Sequence, residues 1–346
     1  MENFGSWSVL TTNYLILLYL ALGGITLSAV LHLCNGQWRF QVRKLACSFA
    51  VLFPICGVLL LVLLFNGEST FQWYALVQAG AADDLHLPGW HDYSFLATRQ
   101  IVGFLLVAGL CGLFIRFQHQ SEIDPSYRAK RRYRNIALLI PFVYFIYGSM
   151  VAWDFEMTMW PNWHSASYGA YHFQSNFHMF LAFFTIFLFV LHRSGRLAQP
   201  FEIKIFNYMA QFMLAMTILW TYLFFTQYLV MWYGRLPEEM ARYDNMMLGL
   251  GGIWWTFLAC KFVIPLLTLV FTKSRQNPVV ITSVAVLIVF GTWLERYTWI
   301  SGTVDPVYYH TPMTSMFDII VTVAVFGFAA WAVQRTLVRY GLVRAS

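Results

Sequence analysis

LTTNYLILLYLALGGITLSAVLHL, residues 10–33, contains no lysine, arginine, aspartate or glutamate. An α-helix rises about 1.5 Å per residue, so a run of about 20 apolar residues can cross the roughly 30 Å hydrocarbon core of a bilayer. Similar runs recur along the 346 residues, of which 59% are hydrophobic and 11% charged, with a mean hydropathy of +0.58. Soluble domains carry about 25% charged residues, and the sequence therefore predicts an all-α integral membrane protein.

The apolar runs predict nine transmembrane helices in a single polytopic membrane domain, residues 1–346. Their predicted ranges are 10–33, 44–65, 95–115, 136–158, 168–191, 206–232, 247–271, 279–300 and 313–334. Lysine and arginine accumulate in cytoplasmic loops, and the segments after the odd-numbered runs carry 17 of the 22 basic residues. We therefore expect the N-terminus outside and the C-terminus in the cytoplasm of a multi-pass protein of the cell inner membrane. This topology accounts for the net charge of +6, and no nucleic-acid partner is expected.

The loops of the predicted outer side carry eight of the 16 acidic residues, and they include the longest loop. Its acidic residues are Glu68, Asp83, Asp84, Asp92, Glu238, Glu239, Asp244 and Asp305. The loop, residues 66–94, is long enough either to dock a partner or to cap the helices. The basic residues predicted on this side are only Arg99, Arg235, Arg242 and Arg296.

Lys261 lies near the middle of the seventh apolar run, in FLACKFVIPLL. A charge at membrane depth is costly and usually marks an ion pathway or a ligand site. Pro265, four residues later, has no N–H to give the carbonyl of residue 261. Lys261 is therefore a candidate for a proton relay or a quinone contact, and the alternative is a structural ion pair with an acid on a neighbouring helix.

Further ionisable residues lie in the outer parts of the predicted helices. They are Asp154, Glu156, His172, His178, Glu295, Arg296 and Asp318. Carboxylates and imidazoles without nearby lysines could pass protons to the outer water, and the acids are expected to face outer water or a polar bundle interior. Asp154 and Glu156 are expected on different sides of their helix, because two residues turn it by about 200°. Interfacial caps and interhelical hydrogen bonds are the alternative roles.

Histidines and cysteines give little support for an intrinsic redox centre. Helical histidine pairs are the usual ligands of b-type haem, and only His32 and His192, at the cytoplasmic ends of two helices, could face one another. The cysteines show no C-x-x-C or other metal-ligand spacing; they are Cys34, Cys47, Cys56, Cys111 and Cys260. No covalently bound cofactor and no metal site are expected.

Four segments between residues 150 and 300 resemble, in order, the NrfD/polysulfide-reductase family of membrane subunits. The segments are VAWDFEMTMWPNWHSASYG (151–169), LWTYLFFTQYLVMWYGRLPEE (219–239), CKFVIPLL (260–267) and GTWLERY (291–297). The closest likeness is to the second large membrane subunit of alternative complex III, the ActF type. The sequence departs from the family pattern at Trp160 and Asn162, where the family has aspartate and histidine, and at Lys261, where it has asparagine.

The resemblance implies two four-helix bundles with flanking helices, here about residues 10–158 and 168–300 with one flanking helix at about 313–334. It also implies a subunit of an oxidoreductase that transfers electrons from quinol to an acceptor of the cytochrome c type. The implied partners are membrane lipids, a sister quinol-oxidising membrane subunit, and iron–sulfur and multihaem cytochrome c subunits on the outer side, which would hold the clusters and haems. Menaquinone or ubiquinone would be the quinone, and Tyr222, Gln227 and Tyr228 are candidates to bind it.

Two other classes of function remain open from the sequence. In an architectural subunit, every intramembrane charge would be paired structurally, and Lys261 would contact a carboxylate sealed by apolar side chains. A secondary transporter would contain broken helices at the midplane and inverted repeats. Pro265 is such a break, but the first half of the sequence shows no recognised counterpart.

Overall fold

The computed structural model describes residues 4–80, 87–124, 126–161, 163–303 and 310–344. The predicted outer-side acids Asp83, Asp84 and Asp305 lie outside these residues, as does Asn162 of the family comparison. Within the described residues, nine helical segments are long and apolar enough to cross a membrane. The prediction of an all-α, multi-span membrane protein is confirmed.

We label these segments α1 to α9 in chain order. They are α1 (Phe4–Leu33), α2 (Arg39–Phe65), α3 (Tyr93–Ile123), α4 (Tyr127–Phe155), α5 (Tyr168–Ser194), α6 (Lys204–Tyr233), α7 (Gly251–Leu269), α8 (Pro278–Ser301) and α9 (Met316–Arg339). Side-chain oxygens of Asp92, Ser126, Asn277 and Ser315 accept backbone N–H bonds at the starts of α3, α4, α8 and α9. Such caps satisfy donors that the first helical turn leaves unpaired.

α1 lies at the centre of the helix assembly. Its most apolar 18-residue window is 94% buried, against 22% for the corresponding windows of α6 and α9. A helix that is apolar on all sides is stable when it is surrounded by other helices. α1 packs against α2, α3, α4, α5, α8 and α9, so most of the other spans contact it directly.

The first four spans pack against one another, and α5 to α8 form a second group. The two groups meet where α5 and α8 contact α1 and where α4 contacts α5. α9 lies against α1 and the middle of α2. Large apolar side chains such as Leu105, Phe142, Ile146 and Val323 are exposed on the outside of the assembly, where lipid chains would cover them.

We call the side where α1, α3, α5, α7 and α9 end the basic face. It carries the 17 basic residues that follow the odd-numbered runs, namely Arg39, Arg43, Lys44, Arg116, Arg128, Lys130, Arg131, Arg132, Arg134, Arg193, Arg196, Lys204, Lys273, Arg275, Arg335, Arg339 and Arg344. α3 and α4 are longer than predicted and continue as helices into their charged segments at this face. Arginine, lysine, glutamine and glutamate are good helix formers, so the helices continue where the apolar runs stop.

Two spans are interrupted, although the sequence indicated only one break. α7 contains a π-helical turn at Ala259–Val263, immediately before Pro265. α2 contains a 3₁₀ turn at Ser48–Leu52, ahead of Pro54. The sequence showed no recognised counterpart of the Pro265 break in the first half, and the 3₁₀ turn in α2 is an interruption that it did not predict. The only polar side chain in the α2 turn is Ser48, which donates to the carbonyl of Leu45, so this break presents no charged group.

The described part of the loop at 66–94 caps the face opposite the basic face. It forms short helices at Gly67–Thr70 and Gln72–Gln78. Phe71 and Trp73 are buried, and the ring of Phe71 contacts that of Phe155. The sequence left open whether this loop docks a partner or caps the helices; the described residues cap the helices.

Gly291 allows α7 and α8 to approach closely at the π turn. A Cβ atom at this position would lie 2.8 Å from Cβ of Cys260 and 2.9 Å from Cγ of Lys261. Both distances are shorter than van der Waals contact between carbon atoms. The absence of a side chain at Gly291 therefore makes room for the stem of Lys261.

We expect Gly291→Ala to destabilise the protein by about 1–3 kcal/mol, the usual cost of overpacking. Gly327→Ala in α9 is the matched control, because a Cβ there would meet no atom within 4 Å. The measurement is thermal unfolding of the full chain in detergent. Equal melting temperatures for the two variants would contradict the close approach of α7 and α8.

Candidate functional site

Five ionisable side chains from four spans meet inside the bundle near the face opposite the basic face. Glu156 lies at the end of α4, His172 in α5, Lys261 in the π turn of α7, and Glu295 and Arg296 next to each other in α8. All five are fully buried. We call this set, with its direct hydrogen-bonding partners, the ionic network.

Glu295 is the acceptor at one end of the ionic network. Lys261 and Tyr171 donate to it in short hydrogen bonds. Ser175 Oγ donates to Oε2 at 2.7 Å, and Trp220 Nε1 donates to Oε1 at 3.0 Å. Arg296 Nη2 lies 3.0 Å from Oε1. The carboxylate thus receives hydrogen bonds or ion pairs from three neighbouring spans as well as from its own.

Glu156 is the acceptor at the other end. Arg296 Nη1 lies 2.8 Å and 2.7 Å from its two carboxylate oxygens, and Tyr168 donates to it in a short hydrogen bond. His172 Nδ1 lies 2.9 Å from Oε2 and 2.6 Å from Arg296 Nη1. Arg296 therefore pairs with both carboxylates and joins the two halves of the ionic network.

The ionic network reaches the central helix through His172. Its Nε2 lies 2.8 Å from the hydroxyl of Tyr19 in α1. The short contacts therefore run without a gap from Tyr19 through His172, Glu156, Arg296 and Glu295 to Lys261. This sequence of groups crosses from the first helix group to the second.

A third buried cation lies beside the ionic network, on the side away from the basic face. Arg242, from the helix Pro237–Gly249, donates to the carbonyls of Glu156 and Trp299 at 2.7 Å and 3.0 Å. Its guanidinium lies 4.4 Å from the ring centre of Trp163 and 4.9 Å from that of Trp299. Cation–π contacts of this kind stabilise a desolvated guanidinium.

The local backbone of α7 directs Lys261 inward. In the π turn, the N–H of Ile264 bonds to the carbonyl of Ala259 five residues earlier. π turns inside α-helices often occur at functional sites. Lys261 Nζ also donates to Ser175 Oγ at 2.6 Å and lies 4.9 Å from the ring centre of Trp220. Aromatic and hydroxyl groups thus surround the ammonium, and its only carboxylate contact among the described residues is Glu295.

Asp154 belongs to a separate cluster. Arg99 of α3 contacts it with Nη2 at 2.6 Å and Nε at 2.9 Å, and Gln100 and Trp90 donate to it at 2.5 Å and 2.8 Å. As predicted, Asp154 and Glu156 point to different sides of α4. Both acids face a polar bundle interior, one of the two environments expected, and each pairs with a cation there. Segment 151–169 contains no lysine or arginine, but α3 and α8 supply Arg99 and Arg296 from a distance in the sequence.

Asp318 and His178 lie outside the direct contacts of the ionic network. Asp318 accepts hydrogen bonds from His310 at 2.6 Å and from the backbone of Met313, at the start of α9. His178 is fully buried, and its Nε2 lies 3.3 Å from Thr217 Oγ1. His178 follows Ser175 by three residues and shares its helix face, about one turn deeper in the bundle.

The three quinone candidates do not form one site. Tyr222 is 62% exposed on the outside of α6. Gln227 is buried, and its amide donates to the hydroxyl of Tyr243 at 2.7 Å. Tyr228 packs its ring against Tyr243. Tyr222 thus faces the surroundings of the bundle, while the other two contact the helix Pro237–Gly249.

A large apolar cleft lies elsewhere, between α9 and the helices α1, α5 and α8. Its volume is about 960 Å³, and Phe183, Phe187, Phe290, Trp293 and Phe326 are among the residues that line it. None of the three quinone candidates lines this cleft.

The two histidines considered as a candidate haem pair, His32 and His192, do not face one another. His32 contacts the ring of Tyr133, and His192 contacts those of Phe201 and Phe206.

Sequence reasoning missed several members of these clusters. Arg99 and Arg242 were counted only as basic residues of the predicted outer side, and Arg296 was noted within its helix without a partner; the structure buries all three. Tyr171, Ser175 and Trp220 were not singled out from the sequence. A signal was present for the arginines, because each violates the preference of basic residues for the other face.

Comparison with known families gave no assignment. No protein-family model and no curated protein matches the chain.

We expect Lys261→Met to destabilise the protein by about 3–5 kcal/mol, because removing one partner leaves Glu295 as an insufficiently compensated buried charge. The control is Lys44→Met, which breaks the Lys44–Glu122 pair at 3.0 Å. Lys44 is 55% exposed, so that loss should be at most about 1 kcal/mol. Both values come from unfolding of the full chain in detergent. A loss below about 1 kcal/mol for Lys261→Met would contradict the buried pairing.

Asp154→Asn and Lys261→Met should act independently, because their clusters share no hydrogen bond among the described residues. The free energy of unfolding of the double variant should then equal the sum of the single effects within about 0.5 kcal/mol. Glu156→Gln combined with Lys261→Met should deviate from additivity, since Arg296 contacts both carboxylates. Additivity in both pairs would contradict the joining role of Arg296.

Proposed function

We propose that this chain is a membrane subunit of a quinol:electron-acceptor oxidoreductase of the alternative complex III type, in which the ionic network holds and transfers protons. The observation that carries the proposal is the series of short contacts from Tyr19 to Lys261, in which two titratable pairs, His172–Glu156 and Lys261–Glu295, lie on either side of Arg296. Arg296 keeps its proton and orients both carboxylates, so protons would move within each pair and not through the guanidinium. Intramembrane ionisable residues are expensive to bury and commonly serve proton relays. The chain would act within the complex and would not be an enzyme alone.

The contacts of His172 suit proton transfer. With the proton on Nδ1, the ring donates to Glu156 and accepts from Tyr19 at Nε2. With the proton on Nε2, it donates to Tyr19 and accepts from Arg296 at Nδ1. The two tautomers use the same neighbours, so the ring can receive a proton on one side and release it on the other with little displacement. His178, one helix turn beyond Ser175, is a candidate for continuing the path deeper into the bundle.

The position of the resemblance supports the same proposal. The four segments that resemble the NrfD/polysulfide-reductase family contribute Glu156, Trp220, Lys261, Glu295 and Arg296. These residues lie at the end of α4 and within α6, α7 and α8, yet all take part in the ionic network. Segments that resemble the family thus converge on one site, although Lys261 itself departs from the family pattern.

The remaining parts of the proposal follow the family. The basic face would lie in the cytoplasm and the network towards the outer side of the inner membrane. The sister quinol-oxidising subunit would lie beside this chain. Iron–sulfur and multihaem cytochrome c subunits would cover the opposite face and hold the clusters and haems. Menaquinone or ubiquinone would be oxidised in the complex, and Gln227 and Tyr228 are the inward-facing candidates for contact with it.

One observation favours an architectural subunit as the second candidate. Lys261 and Glu295 are both fully buried, and the carboxylate is saturated with donors. A pair of this kind can fix the packing of α7 on α8 without taking part in chemistry. Proton transfer requires that groups of the ionic network bind and release protons. An architectural role requires only that the charges of the network balance.

The double variant Lys261→Met/Glu295→Gln separates them. It removes one positive and one negative charge, so it should restore much of the stability lost in Lys261→Met. If the network transfers protons, the assembled complex should lose at least about tenfold in quinol oxidation and proton release, as expected when a general acid–base group is removed. The measurement is turnover and acidification in native membrane vesicles with the subunit composition checked.

Lys44→Met/Glu122→Gln is the matched control, because it neutralises a surface pair on the basic face. Wild-type turnover in the control, together with the loss in the buried pair, supports proton transfer. An assembled Lys261→Met/Glu295→Gln complex with turnover and proton release within twofold of wild type would contradict it and leave the architectural role.

A further inference from the structure

A second polar site lies at the basic face, away from the ionic network. It is a pocket of about 500 Å³ between the α1–α2 connection and the α3–α4 hairpin. Four cationic side chains line it: Arg39 and Arg43 of α2, and Lys130 and Arg134 of α4. His32, Asn35, Ser121 and Tyr133 complete its polar wall. We call it the cationic pocket.

Few acids balance these charges. Glu122 pairs with Arg43 at 2.7 Å and with Lys44 at 3.0 Å. Asp124 accepts from the backbone and hydroxyl of Ser126 at 2.9 Å and 2.8 Å. Among the described residues, Arg39, Lys130 and Arg134 form no ion pair with a carboxylate. Buried Nε atoms of Arg39 and Arg43 also have no hydrogen-bond partner there. The cations repel one another, and a bound anion would remove that repulsion.

The position of the pocket indicates the source of the anion. Its residues follow the ends of the apolar runs of α1 and α3 and precede that of α4, which is the level of the lipid headgroups. Phe40 lines the pocket and is 55% exposed, with the guanidinium groups of Arg39 and Arg43 at 4.4 Å and 4.9 Å from its ring centre. An exposed ring beside paired guanidinium groups suits a ligand that is partly apolar and partly anionic.

We propose that the cationic pocket binds phosphate groups, and that the headgroup of an anionic phospholipid is their source. Arginine and lysine are the usual ligands of phosphate oxygens, and basic pockets between transmembrane helices bind such headgroups. Four cations and a volume of about 500 Å³ would accommodate a headgroup with more than one phosphate. This inference does not depend on the proposed function of the ionic network.

The test uses the full chain in nanodiscs of phosphatidylcholine, with cardiolipin added in one series and inorganic pyrophosphate in the other. Lys130→Gln/Arg134→Gln removes two charges from the pocket wall. Arg128→Gln/Arg131→Gln removes two charges from exposed positions of the same helix that do not line the pocket. Thermal stabilisation and lipid retention in native mass spectrometry are the readouts.

Cardiolipin should stabilise the wild type, and the apparent affinity should fall at least about tenfold in Lys130→Gln/Arg134→Gln and less than about twofold in the control. Stabilisation by pyrophosphate with the same dependence on variants would support the phosphate site but assign it to a soluble anion. Equal losses in both variants would show attraction by surface charge in general and would overturn the proposal, as would the absence of stabilisation in both series.

Discussion

The pairing of Arg296 with two buried carboxylates is the interaction on which the interior of this protein depends. An isolated charge in an apolar interior is prohibitively costly, so Glu156 and Glu295 require a cation that reaches both. Arg296 reaches both from α8, and Lys261 supplies the second positive charge. This balance holds the end of α4, the start of α5, the interrupted middle of α7 and the last turns of α8 together.

The same balance explains two irregular features of the backbone. The π turn in α7 and the missing side chain at Gly291 let Lys261 reach Glu295 across a close helix contact. A regular helix with a side chain at position 291 would separate α7 from α8 or displace the lysine. The π turn and the glycine at this point therefore follow from the placement of the charge pair.

The sequence predicted the fold class and the number of spans because both follow from the length of the apolar runs. It also identified Glu156, His172, Lys261 and Glu295 as unusual, since an ionisable residue in an apolar run is visible without a structure. It could not show that these four residues meet, because they lie on four different helices. The pattern of apolar residues within one run does not reveal how that helix packs against the others. Asp154 and Asp318 carried the same signal, yet the structure places them in other clusters.

The arginines show the limit of reasoning from loop charge. Arg99 and Arg242 were counted only with the basic residues of the predicted outer side, because the topology rule considers only the side of the membrane; Arg296 was noted within its helix, but its partners were not predicted. Arg235, the fourth basic residue predicted on the outer side, is exposed, whereas the other three contact buried partners. A basic residue on the side that basic residues avoid is therefore a useful indication of a buried partner in a multi-span protein.

The proposed proton transfer predicts that Glu156 and Glu295 take up and release protons when quinol is oxidised. Infrared difference spectroscopy of the purified native complex, recorded on addition of quinol, tests this directly in the carboxyl stretching region. The expected result is a carboxyl band that changes on reduction in the wild type and is lost in Glu295→Gln or Glu156→Gln. A difference spectrum that is the same in the wild type and both variants would contradict proton exchange in the ionic network.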